Sequence, residues 1–225
     1  VQKKIKQAQK YLEWEKPNQA IAELKPALES KQIQQEYKWV PHHMMGIALS
    51  LKGEHEASAG YLEKAVKYGS EQPETYHMLS VNYFNLARFD EAEKYGKETV
   101  GRKNDFLKAW LNLGSVYRAQ AKLDEALECY KKANQIDPTN AGVAFRIGEI
   151  YRDQGDLEQA MKLFDITLKI EENHIRAMLE KADIYKKKGD LDEAIQNLEQ
   201  AEEVHGDQTP IEVSKAEIYK SRGKY

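Results

Sequence analysis

The chain has 225 residues, of which 32% are charged and 41% hydrophobic, and its formal net charge at pH 7 is −3. This charge gives no electrostatic case for binding nucleic acid, which needs a basic stripe, and no apolar run approaches the roughly eighteen residues of a membrane-spanning helix. A single cysteine, Cys129, excludes an intrachain disulfide.

A repeat with a fixed period organises most of the chain, with frames that begin at residues 73, 107, 141, 175 and 209. Position eight of each frame is small and position eleven is tyrosine: Ser80, Gly114, Gly148, Ala182 and Ala216, then Tyr83, Tyr117, Tyr151, Tyr185 and Tyr219. Upstream frames begin at residues 39 and 1. Such a period indicates a repeat architecture that grows by stacking and has no single closed core.

The first two repeats, 1–34 and 39–72, are separated by a register slip at residues 35–38. Pro17 suits a helix start, whereas Pro26 lies inside the second helix, where it removes a backbone hydrogen bond. We expect the extra residues to lengthen that second helix.

The third repeat, 73–106, opens on a first-turn proline, Pro73. Gly96 stands at position twenty-four, where the other frames carry a bulky residue. Loose packing between the helices is therefore expected there.

The repeats 107–140, 141–174 and 175–208 are the most regular, and a final helix is predicted over 209–222. Gly at position fifteen, as at Gly155, supplies the positive φ that ends a first helix. The aspartate that follows, as at Asp156, can cap the second helix. The chain stops where another second helix should start, and we expect it to be a segment of a larger protein.

The most regular repeat carries the pattern W-x2-L-G-x2-Y, followed by A-x3-aromatic, a small residue and proline. Its residues are Trp110, Leu113, Gly114, Tyr117, Ala126, Tyr130, Ala133 and Pro138. This pattern closely resembles the tetratricopeptide repeat. The resemblance implies an all-α, right-handed solenoid of six repeats plus one C-terminal helix, thirteen helices in all, with first helices inward and second helices outward.

The same resemblance implies a concave groove lined by the first helices, where a peptide would bind. One part of the predicted groove is apolar and contains two histidines: Val40, His43, Met44, Ile47, Leu51, His77, Met78, Val81 and Phe84. The other part is polar with an excess of positive charge: Lys108, Asn112, Arg118, Arg146, Arg152, Arg176 and Lys186, with Glu149 and Asp183. An apolar patch on a solvent-exposed surface often marks a site that binds another protein. Alternatively, Met44, Met78 and Ile47 pad the core, and the arginines lie on an ordinary solvated face, partly paired with Glu149 and Asp153.

The favoured function is a protein-interaction scaffold that takes a peptide with apolar and acidic residues. One alternative is self-association through the solenoid ends, which polar residues in place of Ile211 and Val213 should abolish. Another is the targeting arm of a multidomain enzyme or a chaperone cofactor. The carboxylate clamp of chaperone-binding repeats is matched at only two of five positions, which read His77, Val81, Asn112, Gly142 and Arg146.

No catalytic site, metal or cofactor is expected in this chain. His43 and His77 occupy equivalent positions of adjacent repeats, but no cysteine or carboxylate joins them at metal-ligand spacing. Neither a nucleophile elbow nor a phosphate-binding loop is present. Paired acids such as Glu171 and Glu172 are charges at a helix end.

Overall fold

The computed structural model describes residues 1–30, 32–205 and 209–223, and over these it contains thirteen α-helices, one short 3-10 helix and no strand. The α-helices are α1 Gln2–Glu13, α2 Pro17–Leu28, α3 Trp39–Leu51, α4 His55–Lys67, α5 Pro73–Asn85, α6 Phe89–Arg102, α7 Leu107–Ala119, α8 Leu123–Ile136, α9 Ala141–Asp153, α10 Leu157–Ile170, α11 Ile175–Lys188, α12 Leu191–His205 and α13 Thr209–Ser221. The predicted all-α solenoid of helix pairs is confirmed. Residues 206–208, at the end of the predicted sixth repeat, lie outside the described residues, as do 224–225.

The chain divides into two compact units, an N-terminal unit Val1–Lys122 with α1 to α7 and a C-terminal unit Leu123–Tyr225 with α8 to α13. Within the N-terminal unit the first helices α1, α3, α5 and α7 contact one another in turn, and the second helices α2, α4 and α6 contact one another less. The first helices therefore lie on the inner side of this unit. No helix in the described part of the chain is long and apolar enough to cross a membrane.

Small residues let the two helices of a repeat approach closely. A side chain on Gly148 of α9 would place its Cβ 2.7 Å from the Phe164 ring of α10, and one on Gly46 would collide with Leu62. Phe164 and Leu62 are both fully buried. Both residues stand at position twenty-four of their repeats. The residue at this position is also fully buried in other repeats, as Leu24, Tyr130 and Leu198.

The loose packing expected at Gly96 does not occur. A Cβ added there would lie 3.0 Å from Leu113 Cδ1 and 3.1 Å from Ser80 Oγ. The space left by the missing side chain is filled because α7 of the next repeat places Leu113 in it. The prediction of loose packing was wrong, since it treated the repeat in isolation from its neighbour.

The turn residue at position fifteen has a positive φ in every repeat. The prediction at glycine is confirmed, with φ of 84° at Gly155 and 88° at Gly189. Two alanines and a glutamate adopt the same conformation, with φ of 57° at Ala87, 59° at Ala121 and 52° at Glu15. The geometry of the turn, and not the preference of the residue, therefore sets the backbone at this position.

The second helix of the first repeat is not lengthened. It ends at Leu28, and the residues of the register slip form a short 3-10 helix, Gln35–Tyr37. Pro26 lies inside α2, two residues before its end. Because proline has no N–H to donate, it weakens the last turn and favours an end there.

Candidate peptide-binding surface

The two predicted groove methionines pack into the core. Met44 is only 6% exposed and belongs to a buried cluster with Ala48 and Leu49. Met78 is half-buried and packs against the cluster that contains Leu79. Met44 therefore offers a ligand almost no surface, because its position on α3 turns it toward the neighbouring helices.

His43 joins two neighbouring repeats. Its Nδ1 lies 2.9 Å from Thr75 Oγ1 on α5, and Thr75 Oγ1 lies 2.7 Å from Ser70 Oγ. Trp39 meets the His43 ring edge-on at 6.1 Å between centroids. Burial lowers the pKa of His43 to about 4, although Glu74 acts to raise it. The imidazole is thus neutral at pH 7 and already has a partner.

His77 occupies the equivalent position on α5 and is also mostly buried. Its ring lies 4.9 Å from the Phe106 ring, and its Nδ1 has no hydrogen-bond partner among the described residues. Burial and then Lys108 lower the pKa of His77 to about 4, against the opposing effect of Glu74. In the part of the chain that the structure describes, no group of three His, Cys, Asp or Glu side chains could hold a metal ion.

Other apolar residues of the predicted groove keep exposed surface. Leu51, at the end of α3, is 51% exposed. Four more groove residues, on α3 and α5, are half-buried: Val40, Ile47, Val81 and Phe84. Val40 and Phe84 also pack against buried clusters, as Met78 does. Leu111 on α7 is half-buried as well. We call these six residues the apolar strip. Leu111 was missed from the sequence, although it stands at position five, the position that was used to select His43 and His77.

The polar groove residues of the N-terminal unit differ in burial and in their hydrogen bonds and ion pairs. Asn112 Nδ2 donates to Ser80 Oγ at 2.6 Å, and Ser80 Oγ donates to the Ala92 carbonyl at 2.7 Å. Asn112 therefore ties α7 to the preceding repeat. Arg118 is half-buried. Lys108 is exposed and forms no ion pair with any described residue.

The arginines predicted in the C-terminal unit are engaged in ion pairs. Arg152 pairs with Glu180 and, at 2.8 Å, with Asp153. Burial lowers the pKa of Arg152, but the hydrogen bonds to these two carboxylates raise it above its ordinary value. Arg146 lies 3.9 Å and Arg176 3.1 Å from the buried carboxylate of Glu149. An acidic ligand would have to compete with these internal carboxylates.

The repeat geometry and the residue pattern agree with comparison to known families. Models of the tetratricopeptide repeat match residues 74–103, 107–140, 129–162 and 153–218. The chain belongs to the tetratricopeptide-repeat (TPR) family. TPR domains are protein-interaction scaffolds, and the fold is typical of proteins without catalytic activity.

Two relatives are similar over part of this TPR chain. BBSome complex member BBS4 of Bos taurus is 31% identical over 93 residues, which cover 41% of this chain and 18% of that protein. The Mus musculus protein of the same name is 32% identical over 94 residues, again 41% of this chain and 18% of that protein. The match thus spans less than a fifth of each relative.

Solved structures share the fold at low sequence identity. The pilF protein of Pseudomonas aeruginosa has a TM-score of 0.76 at 18% identity, and the match covers 96% of each chain. A TPR protein from Parabacteroides merdae has a TM-score of 0.82 at 12% identity, with 99% of this chain and 87% of that chain covered. YrrB, a TPR protein with an unusual peptide-binding site, has a TM-score of 0.69 at 22% identity over 79% of this chain and 90% of its own.

Proposed function

We propose that the N-terminal unit binds an extended peptide segment along its first-helix face, within a larger protein assembly. The observation that carries this proposal is the apolar strip, whose members lie on the adjacent helices α3, α5 and α7 and include the exposed Leu51. Exposed apolar surface of this kind favours a protein partner. The similarity to YrrB, which has a peptide-binding site, and to a member of the BBSome complex supports this assignment.

The partner segment should carry apolar side chains and at least one acidic residue. The apolar side chains would cover the apolar strip, and a carboxylate would pair with Lys108, which lies at the start of α7 beside His77. His43 and His77 are mostly buried and neutral at pH 7, so they contribute little charge to this surface. A module of this kind typically binds with a micromolar dissociation constant, about −8 kcal/mol.

The test is to select peptides from a displayed random library on the wild-type chain and to measure their affinity for variants. Leu51→Asp and Val81→Asp should each weaken binding about tenfold or more, because a charge replaces an apolar contact. Ile166→Asp is the matched control, since Ile166 is 44% exposed on α10 in the other unit. Equal affinity for all three variants, each shown to melt like the wild type, would exclude the apolar strip as the site.

Self-association is a second candidate, and it is favoured by the surface of α13. Val213 is 51% exposed and Tyr219 is 38% exposed on this helix. Ile211, in contrast, is fully buried, so a polar residue there would disturb folding instead of reporting on assembly. Sedimentation velocity at increasing concentration should show a mass increase that Val213→Asp removes. A constant monomer mass would exclude this candidate.

A further inference from the structure

A cavity of about 310 Å³ lies at the N-terminal edge of the first repeat, away from the apolar strip except for Val40, which both share. It is formed by the start of α1, the loop after α2 and the start of α3. The lining residues are Val1, Gln2, Ile5, Lys6, Gln32, Ile33, Gln34, Tyr37 and Val40. The volume is at the lower end of the roughly 300–1,000 Å³ range of ligand clefts.

The walls of this cavity combine apolar and polar side chains. Ile5, Ile33 and Val40 are half-buried, and Tyr37 is 54% exposed. Three glutamine side chains add amide donors and acceptors. This mixture suits one or two apolar side chains together with the backbone of the peptide that carries them.

Helix α1 adds a local positive charge that contrasts with the net charge of the whole chain. The helix carries Lys3, Lys4, Lys6 and Lys10 against a single carboxylate, Glu13, at its last residue. Lys3, Lys6 and Lys10 are three and four residues apart, so they share one face of the helix. None of these lysines forms an ion pair within the described residues.

The lysine face and the cavity are continuous. Gln2 and Lys6 line the cavity, and they also line an adjoining open groove with Lys3, Gln7 and Lys10. A ligand seated in the cavity would therefore place its neighbouring groups against cations. Binding to nucleic acid would instead require an extended basic stripe, and the apolar walls of the cavity would then have no role.

We propose that this cavity and the lysine face of α1 form a second docking site, which takes an acidic peptide segment with one or two large apolar side chains. The apolar side chains fill the cavity, and the carboxylates on either side pair with the lysines. This site shares only Val40 with the groove proposed above, and the Leu51→Asp variant should leave it intact.

Three fluorescein-labelled peptides test the site by fluorescence anisotropy with the 225-residue chain. The first carries Leu-Phe between acidic flanks, the second replaces Leu-Phe by Ser-Ser, and the third keeps Leu-Phe between basic flanks. The first should bind at least about tenfold more tightly than either of the others, because only it satisfies both the apolar walls and the lysines. Its affinity should also fall as salt is added.

Two variants and a control locate the binding. Lys6→Glu should weaken the first peptide about five- to tenfold, and Ile33→Asp, in the loop after α2, by about tenfold or more. Lys25→Glu makes the same charge change on the exposed side of α2 and should leave the affinity unchanged.

Several results would overturn the proposal. One is equal binding of the first peptide to wild type, Lys6→Glu and Ile33→Asp. Another is equal binding of all three peptides, or of none. A labelled oligonucleotide that binds as tightly as the first peptide would indicate general attraction of polyanions instead. If Ile33→Asp does not fold, Lys6→Glu and the peptide comparison decide the matter alone.

Discussion

A positive φ at a turn is costlier for alanine than for glycine, because the β-carbon crowds the following carbonyl. Ala87 and Ala121 both hold this conformation and are exposed. Replacing either by glycine should raise the free energy of unfolding by about 0.5–1 kcal/mol, after the larger entropy of the unfolded glycine is subtracted.

Urea unfolding of Ala87→Gly and Ala121→Gly measures this effect. The matched control is Ala22→Gly, at an exposed position within α2, which should lose about 1 kcal/mol. If all three substitutions lower stability alike, the positive φ at these turns carries no strain.

At Gly148, where the two helices of a repeat lie close together, alanine in place of glycine should lower the stability. Gly148→Ala should lower the free energy of unfolding by about 1–2 kcal/mol, because the new methyl group overlaps the buried Phe164 ring by more than the gain in helix propensity offsets. Thermal melting of the variant measures the loss. Gly60→Ala is the control, since its Cβ would meet nothing within 4 Å on α4, and it should stabilise by about 1 kcal/mol. Stabilisation by both variants would show that the helices are not in tight contact at Gly148.

At the scale of elements, two largely buried histidines link α3 to α5 and α5 to Phe106, the residue that precedes α7. The folded-state pKa values of His43 and His77 are lowered to about 4, whereas an unfolded histidine titrates near 6.5. Between these values the unfolded chain binds more protons than the folded chain. The stability that these histidines contribute is therefore complete above pH 6.5 and is lost as the pH falls toward 4.

The melting temperature should accordingly fall between pH 7.5 and pH 5. A variant with His43→Gln and His77→Gln should be less stable at pH 7.5 but should show a flatter pH dependence, because its glutamines do not titrate. Parallel curves for the variant and the wild type would mean that other groups control the acid sensitivity.

The ends of elements were harder to predict than their centres. The first repeat illustrates this, since α2 ends at Leu28 although the repeat pattern alone allows it to continue. The pattern records which residues face the core, whereas the end of a helix also depends on local backbone hydrogen bonding, which Pro26 weakens because it has no N–H to donate. Ala87 and Ala121 are similar cases, because only their position in the repeat, and not the residue type, indicates the positive φ that the turn imposes.

At the scale of the whole molecule, the repeat alone was enough to predict the fold. Each frame places a small residue at position eight, and all but the third repeat place a bulky residue at position twenty-four. The close helix pairs at Gly46 and Gly148 therefore follow from spacing. The candidate site was only partly predictable. Position within the repeat places Ile47 and Val81 at the surface, but it cannot distinguish them from Met44, whose burial depends on neighbouring helices.

Charge was the least predictable property, because it depends on partners from other repeats. The sequence left open whether Arg146 and Arg152 are paired with Glu149 and Asp153, and the structure shows both ion pairs. The further partner of Arg152, Glu180 on α11, comes from the next repeat and was not predicted. Lys6 and Lys108 remain without ion pairs among the described residues. These lysines, and not the arginines of the C-terminal unit, are therefore the better candidates for pairing with an acidic ligand.

Photocrosslinking tests the central claim most directly, which is that the first-helix face of the N-terminal unit binds peptide. Benzoylphenylalanine would replace Leu51 in one sample and Ile166 in another, each irradiated with a library-selected peptide. We predict a peptide adduct at position 51 and none at position 166, as read by mass spectrometry. Adducts at position 166 alone, or equally at both, would contradict the assignment.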